Sequence, residues 1–204
     1  MSPKEKEPKL DRRVVRSRAA LKESLLALMA LKPFASISIT EIVEHANYNR
    51  GTFYANYESK EALLDDMIAD LIEKLLQSYR APYEKVEVFH INELPASSVM
   101  LFKHFHDHAS VYTVLMKSDV LPHLRERMFM ALKNISMKEL SYPNRGIDEE
   151  LMATFSIHAL LGLVFHWVES GFKHSPEYMQ QELVKIINWR PTTVKPNLPP
   201  SDKG

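Results

Sequence analysis

Two short stretches concentrate side chains capable of chemistry. The first runs from Asn49 through Arg50 and Gly51 to Thr52. It offers a guanidinium, an amide, a hydroxyl and the bare backbone of a glycine. Such donors suit phosphate oxygens and base edges, and arginine paired with guanine is the commonest specific contact of that kind. The second is Lys103-His104-Phe105-His106-Asp107-His108. His104 and His108, four residues apart, share a helix face as two metal ligands should. No cysteine or glutamate completes a site nearby, so the cluster is read as histidines without a metal. With no phosphate loop, no Gly-x-Ser-x-Gly elbow and no paired acids, neither an enzyme nor a cofactor is expected.

The elements that must position these groups are helical. Five glycines in 204 residues, and apolar residues recurring every three or four positions, predict an all-α chain. Val14, Leu21, Leu25, Leu28 and Met29 stripe a first helix over about 11–31, which Pro33 closes. Ser38-Ile39-Thr40-Glu41 matches a capping box and starts a second helix, interrupted near His45 by Asn47, Tyr48 and Asn49. A third runs from Arg50 to about Ala55, and Ser59 caps a fourth that reaches about Arg80. Two short helices joined by a three- or four-residue turn form a helix-turn-helix, whose second helix enters the DNA major groove. Ile39, Ile42 and Val43 face Phe53, and Ala46 permits close approach. A tight helical hairpin inside a core fits the same periodicity.

Charge is distributed unevenly. The net charge is zero, yet residues 1–22 hold eight Lys/Arg against three acids, and residues 1–60 carry +4 against −4 for the remainder. A basic head on an acidic body suits a chain of which one end meets phosphate, and equally a solvated amino terminus. The chain has no cysteine, which is compatible with a reducing, cytoplasmic compartment. No secretory leader and no apolar run of about 18 residues is apparent, so no membrane association is expected.

Residue identity sharpens the pattern. The stretch ISITEIVEHANYNRGTFYANYESKEALL resembles the DNA-binding domain of the TetR family of bacterial transcriptional regulators. The match lies in Ile39-Thr40, Ile42 to Ala46, Gly51-Thr52-Phe53-Tyr54, Tyr57, Ser59-Lys60, Glu61 and Leu63. Residues 152–187 also resemble the last two helices of one TetR subgroup, through Gly162, Leu163, Trp167 and Gly171. The resemblance implies that Thr40 and Lys60 hold phosphates, that Tyr54 donates its hydroxyl to another, and that Arg50, Thr52, Asn49, Gly51 and Tyr48 face bases or flanking phosphates. Arg12, Arg13 and Arg16 are candidates for further backbone contacts. Two departures stand out: Asn47 where the family turn has glycine, and Tyr57 where it has phenylalanine. Asparagine tolerates the left-handed backbone that such a turn requires.

The expected organisation is a flexible basic arm (1–10), a helix-turn-helix domain (11–57), a connecting helix (58–80), a helical regulatory and dimerisation domain (81–190) and a disordered tail (191–204). Helices are predicted over 96–108, 110–117, 121–140, 148–170 and 176–189. The resemblance implies a homodimer on a palindromic double-stranded operator, most simply a ligand-responsive repressor. Leu163, His166, Trp167, Met179, Leu183 and Ile186 are the candidate interface. A small apolar or aromatic effector would enter a pocket lined by Phe102, Phe105, His106, Tyr112, Leu115, Met116, Phe129, Met130, Phe155 and His158. The alternative is a TetR-like regulator that acts through a protein partner without its own specific DNA contact.

Overall fold

The computed structural model describes residues 12–85, 90, 93–140 and 146–189. The expected basic arm and carboxy-terminal tail lie outside these residues. Among the described residues the chain is helical, with no strand. It comprises an amino-terminal helix-turn-helix domain followed by a larger helical body.

The head is built as its sequence dictates. Helix α1 (Arg12–Met29) buries Leu21, Leu25 and Met29 and ends ahead of Pro33, which bars an α conformation at the residue before it. Helix α2 (Ile39–His45) starts on a complete capping box. Ser38 Oγ accepts from the Glu41 amide at 3.3 Å, and the Glu41 carboxylate accepts from the Ser38 amide at 2.9 Å. The Lys32 hydrogen bond, then those from Ser38, hold Glu41 down at about 2. Helix α3 (Arg50–Tyr54) follows, and α4 (Lys60–Arg80) is capped by Ser59, whose hydroxyl accepts from the Ala62 amide. Phe53 is fully buried, and with Ile42 and Val43 it belongs to the same core as the inner stripes of α1 and α4.

The body consists of α5 (Leu101–Asp107), α6 (Ala109–Lys117), α7 (Leu121–Glu139), α8 (Glu149–Glu169) and α9 (Pro176–Asn188). The helix predicted from residue 96 is shorter than its pattern. A 3-10 turn at Ala96–Ser98 leads into Val99, whose ψ of 86° breaks the helix, so α5 begins at Leu101. The longest interhelical packing is α7 on α8, while α4 packs on α5 and α7 and α1 packs on α6, making one continuous core from head to body.

Helix α8 corrects one expectation. An 18-residue window within its 21 residues reaches a mean hydropathy of 1.7, long and apolar enough by length and composition to cross a membrane. A search for an uninterrupted apolar run passes over it, because Thr154, Ser156, His158 and Gly162 interrupt the run without adding charge. Ala153, Ile157, Leu161, Val164 and Val168 bury one face, but Leu151 and Phe155, the latter 74% exposed, project from the other.

Candidate nucleic-acid interface

The angle between α2 and α3 depends on the turn at Asn47. Its φ is +57°, the left-handed region that L side chains rarely adopt. The Tyr48 amide donates to the Val43 carbonyl at 2.8 Å and the Asn47 amide to the Glu44 carbonyl at 3.1 Å. These are the two bonds of a Schellman motif, with Asn47 in the position usually taken by glycine. The same device ends α8, where Gly171 (φ 73°) donates to Val168 and Phe172 (φ 58°) to Trp167. Replacing Asn47 by glycine removes a side chain from a left-handed residue without touching either bond. Asn47→Gly is therefore expected to raise stability by about 0.5 kcal/mol in thermal unfolding. A melting point lowered by several degrees would contradict the role of this turn.

Next to that turn, Asn49 caps α3. Its Oδ1 accepts from the Thr52 amide at 2.8 Å and from the Thr52 hydroxyl at 3.2 Å. The residue-type resemblance assigned both side chains outward, whereas the structure employs the Asn49 carbonyl and the Thr52 hydroxyl on each other. Gly51 makes room for the cap, because a Cβ there would stand 3.2 Å from Asn49 Oδ1. Arg50 and Tyr54, one turn apart on the exposed face, lie together. The guanidinium donates to the Tyr54 hydroxyl at 3.4 Å, and its carbon lies 5.9 Å from the ring centroid. Thr40 is exposed in the first turn of α2, and Tyr48 is half-buried in the turn. Asn56 Nδ2 donates to Ser17 Oγ at 3.2 Å and joins the end of α3 to α1. Arg12, Arg13 and Arg16 are exposed on α1.

Lys60 has a different task from the one its motif suggests. Its ammonium donates to the carbonyls of Phe34, Ala35 and Ile37 at 3.0, 2.9 and 2.8 Å and lies 4.7 Å from the Phe34 ring centroid. An ammonium has three protons, and all three are used. Lys60 thus holds the loop ahead of α2 rather than offering its charge outward.

Tyr57 shows what its extra hydroxyl does. The ring packs against Phe53, and the hydroxyl donates to Asp66 at 2.7 Å while accepting from Arg18 at 3.1 Å. Burial, with the Asp66 bond, pushes its pKa up to about 12 against the opposing pull of Arg18. Asp66 is also bridged to Arg18 at 2.9 Å and to Lys22 at 2.7 Å. Burial works to raise the Asp66 pKa, but the bonds from Lys22 and Tyr57 outweigh it and hold the carboxyl below its ordinary range. Two cations of the basic head are therefore spent on α4.

In the body, the histidine cluster sends one member, His104, into the core while His106 stays exposed. His104 is buried, with Nε2 at 2.8 Å from the Tyr112 hydroxyl, and His108 turns Nδ1 to the His104 carbonyl at 2.9 Å. One ring nitrogen of each of these two histidines thus has a partner within the chain. The ten candidate pocket residues separate. Phe102, Phe105, Tyr112, Leu115 and Met116 fill the interior, with Phe105 and Tyr112 ring centroids 4.2 Å apart. His106 meets the edge of Phe172. Phe129 and His158, 4.1 Å apart, line a groove of about 410 Å³ between α7 and α8 with Arg125, Leu161, Phe165 and His166. Met130 and Phe155 are open to solvent, apart from the other candidates for the pocket lining.

The candidate interface residues divide in the same way. His166 and Ile186 are exposed and Leu163 and Leu183 half-buried. Trp167, 1% exposed, packs on Phe102 and Phe172, and its Nε1 donates to the His174 carbonyl at 2.9 Å. Met179 is buried as well. Both are interior residues of this chain and supply no surface to a partner. Within α8 and α9 the large apolar side chains that face outward are Leu151 and Phe155 on the first and Tyr178, Ile186 and Ile187 on the second.

Comparison with known proteins agrees with this architecture. Residues 23–67 match the family described as bacterial regulatory proteins, tetR family, and residues 92–188 match a transcriptional regulator C-terminal region of the same family. An uncharacterized HTH-type transcriptional regulator, YxbF, of Bacillus subtilis is 30% identical over 190 residues, covering 91% of this chain. The chain spans about half, 48%, of that protein's length. A TetR transcriptional regulator from Streptococcus agalactiae superposes with a TM-score of 0.60 at 21% identity, over 87% of this chain and 96% of its own. The fatty acid degradation regulator FadR from Bacillus halodurans does so with a TM-score of 0.62 at 16% identity, over 90% and 96%. Head, turn, body and matched residues lead to one conclusion: the chain belongs to the TetR family of bacterial transcriptional regulators.

Proposed function

We propose that this chain is a DNA-binding regulator, most simply a repressor, that grips a roughly palindromic operator as a homodimer and responds to a small apolar or aromatic effector. The observation that carries the DNA reading is the exposed Arg50–Tyr54 pair, which spans a capped α3 set at a fixed angle by the Asn47 turn. Arg12, Arg13 and Arg16 add to it. They are exposed on α1 and add positive charge of the kind that meets a phosphate backbone. Fragments enriched from random-sequence DNA by the wild-type chain provide the test. Arg50→Ala is expected to cost about ten- to a hundredfold in affinity and to relax base preference, while Tyr54→Phe weakens all fragments alike. An empty selection would favour the alternative, a regulator acting through a protein partner.

A dimer is supported by the outward apolar face of α8 and α9. Phe155 projects as a knob, and seven residues on, a Cβ at Gly162 would meet nothing within 4 Å, so the helix carries a knob and a dent on one side. A twofold axis between them places each knob against the partner's dent, as an isologous contact requires. Such an axis also sets two α3 helices on one side of the duplex, which is why the operator is expected to be palindromic. Phe155→Asp is expected to shift the chain to monomer in sedimentation at micromolar concentration. An effector acts by binding the two arrangements of the heads unequally. Thermal stabilisation by apolar and aromatic compounds checks that part, and the α7–α8 groove, whose walls include Phe129 and Phe165, is one place to look.

A further inference from the structure

The segment Phe34–Ile37, between Pro33 and the capping residue of α2, has backbone polar groups that find partners from three directions. The amides of Ser36 and Ile37 stay local, donating to Pro33 and Phe34. The carbonyls of Phe34, Ala35 and Ile37 go to Lys60 of the head, and that of Ser36 to Lys32 at 3.3 Å. Two amides remain, those of Phe34 and Ala35, at the start of the 3-10 turn. Pro33 precedes them and offers no side-chain cap. Their acceptor comes from the body: the carboxylate of Asp119, at the corner between α6 and α7, takes Phe34 at 2.8 Å and Ala35 at 3.1 Å. A residue 84 and 85 positions away in sequence thus does what a local Ser or Asp does at an ordinary helix start.

We propose that Asp119 is a positioning residue for DNA recognition: a body carboxylate that caps the segment leading into α2 and, against the pull of Lys60 on the same segment, fixes the seating of the helix-turn-helix. Opposite charges hold opposite sides of one short segment. Lys60 binds its carbonyls from α4 and Asp119 binds its amides from the α6–α7 corner, while the Phe34 ring is buried with the Lys60 ammonium 4.7 Å from its centroid. Ser38 follows directly, so any displacement of the segment moves the first turn of α2, and through the Asn47 turn it moves α3. The head is therefore complete only when the body supplies its acceptor. The proposal rests on the DNA-binding reading above, and its test separates the two.

The test uses the full chain with Asp119→Ala, Asp119→Asn and, as a direct-contact control, Arg50→Ala. Amide exchange of Phe34, Ala35 and the α2 residue Ile42 is followed by NMR, and affinity is measured for the fragment that the wild type enriches from random DNA, at two salt concentrations. Asp119→Ala is expected to speed exchange at Phe34 and Ala35 about tenfold or more, to speed Ile42 less, and to lower DNA affinity about three- to tenfold with an unchanged salt slope. Asp119→Asn keeps one acceptor and falls between. Arg50→Ala lowers affinity while leaving the exchange of all three amides at wild-type rates. Faster exchange with undiminished affinity, or unchanged exchange in Asp119→Ala, would overturn the positioning role. A wild-type chain that enriches no DNA would overturn the recognition reading and with it the purpose assigned to the clamp, although the exchange rates would still show whether Asp119 caps the segment.

Discussion

Lys60→Met is expected to lower the thermal midpoint of the chain by about 5–10 °C and to leave the salt dependence of DNA binding unchanged. Methionine keeps most of the apolar stem, so the loss isolates the ammonium. Three carbonyls, of Phe34, Ala35 and Ile37, lose a charged donor at once. A hydrogen bond to a charged group contributes about 1.5–3 kcal/mol when shielded from water, and this site is only partly shielded. A total of about 2–3 kcal/mol is therefore the reasonable scale. The two measurements report on different roles. A phosphate ligand removed from the interface flattens the salt slope by about one counterion and leaves the free chain as stable as before. A segment clamp removed from the head does the reverse. A flattened slope with an unshifted melting curve would return Lys60 to the phosphate role its motif suggests.

The second large effect is acid destabilisation centred on His104. Burial, then the nearby charges of His108 and Lys74, lower its pKa from the ordinary 6.5 to about 4, with Asp107 opposing. In the unfolded chain the imidazole takes up a proton near 6.5, whereas in the folded chain it stays neutral down to about 4. Protons therefore favour the unfolded state between these values. The contribution is fully present above 6.5, declines as the pH falls toward 4 and is flat below that. Over the whole window it is of the order of 3 kcal/mol. The Glu41 carboxyl, held at about 2, loses its own contribution only below its ordinary 4.5, so the upper part of the window belongs to the histidine. His104→Gln retains a hydrogen-bonding partner for the buried Tyr112 hydroxyl and cannot titrate. Chemical denaturation at pH 7.5 and pH 5 is expected to show a marked drop for the wild type and a much smaller one for the variant.

How far the sequence discloses such facts depends on how far away the partners are. The capping box at Ser38 and Glu41 and the left-handed Asn47 are local devices, formed among neighbours in the chain, and the residue types alone predict them. Lys60 illustrates the opposite case. Its motif placed it at the start of α4, but the carbonyls it touches lie 23 to 26 residues upstream and carry no side-chain signature. Asp119 has no motif at all, because a carboxylate accepting two amides more than 80 residues away looks like any surface acid. Helix α8 hid its direction for another reason. With apolar residues on nearly every side, periodicity could not tell the Trp167 side, which is interior, from the Phe155 side, which is not. His104 was visible as a chemical group, but only packing reveals that Tyr112 already satisfies it.

The exposed stripe on α8 has one more consequence, for anyone measuring this chain. Leu151 and Phe155 stand in water in the isolated protomer, and in the proposed dimer, which covers them, mass action ties folding to association. Its folded population then becomes a function of how much chain is in the tube. Dilution itself acts as a denaturant, melting points compared at different concentrations are not comparable, and a variant such as Phe155→Asp can look unstable merely because it has lost its second copy.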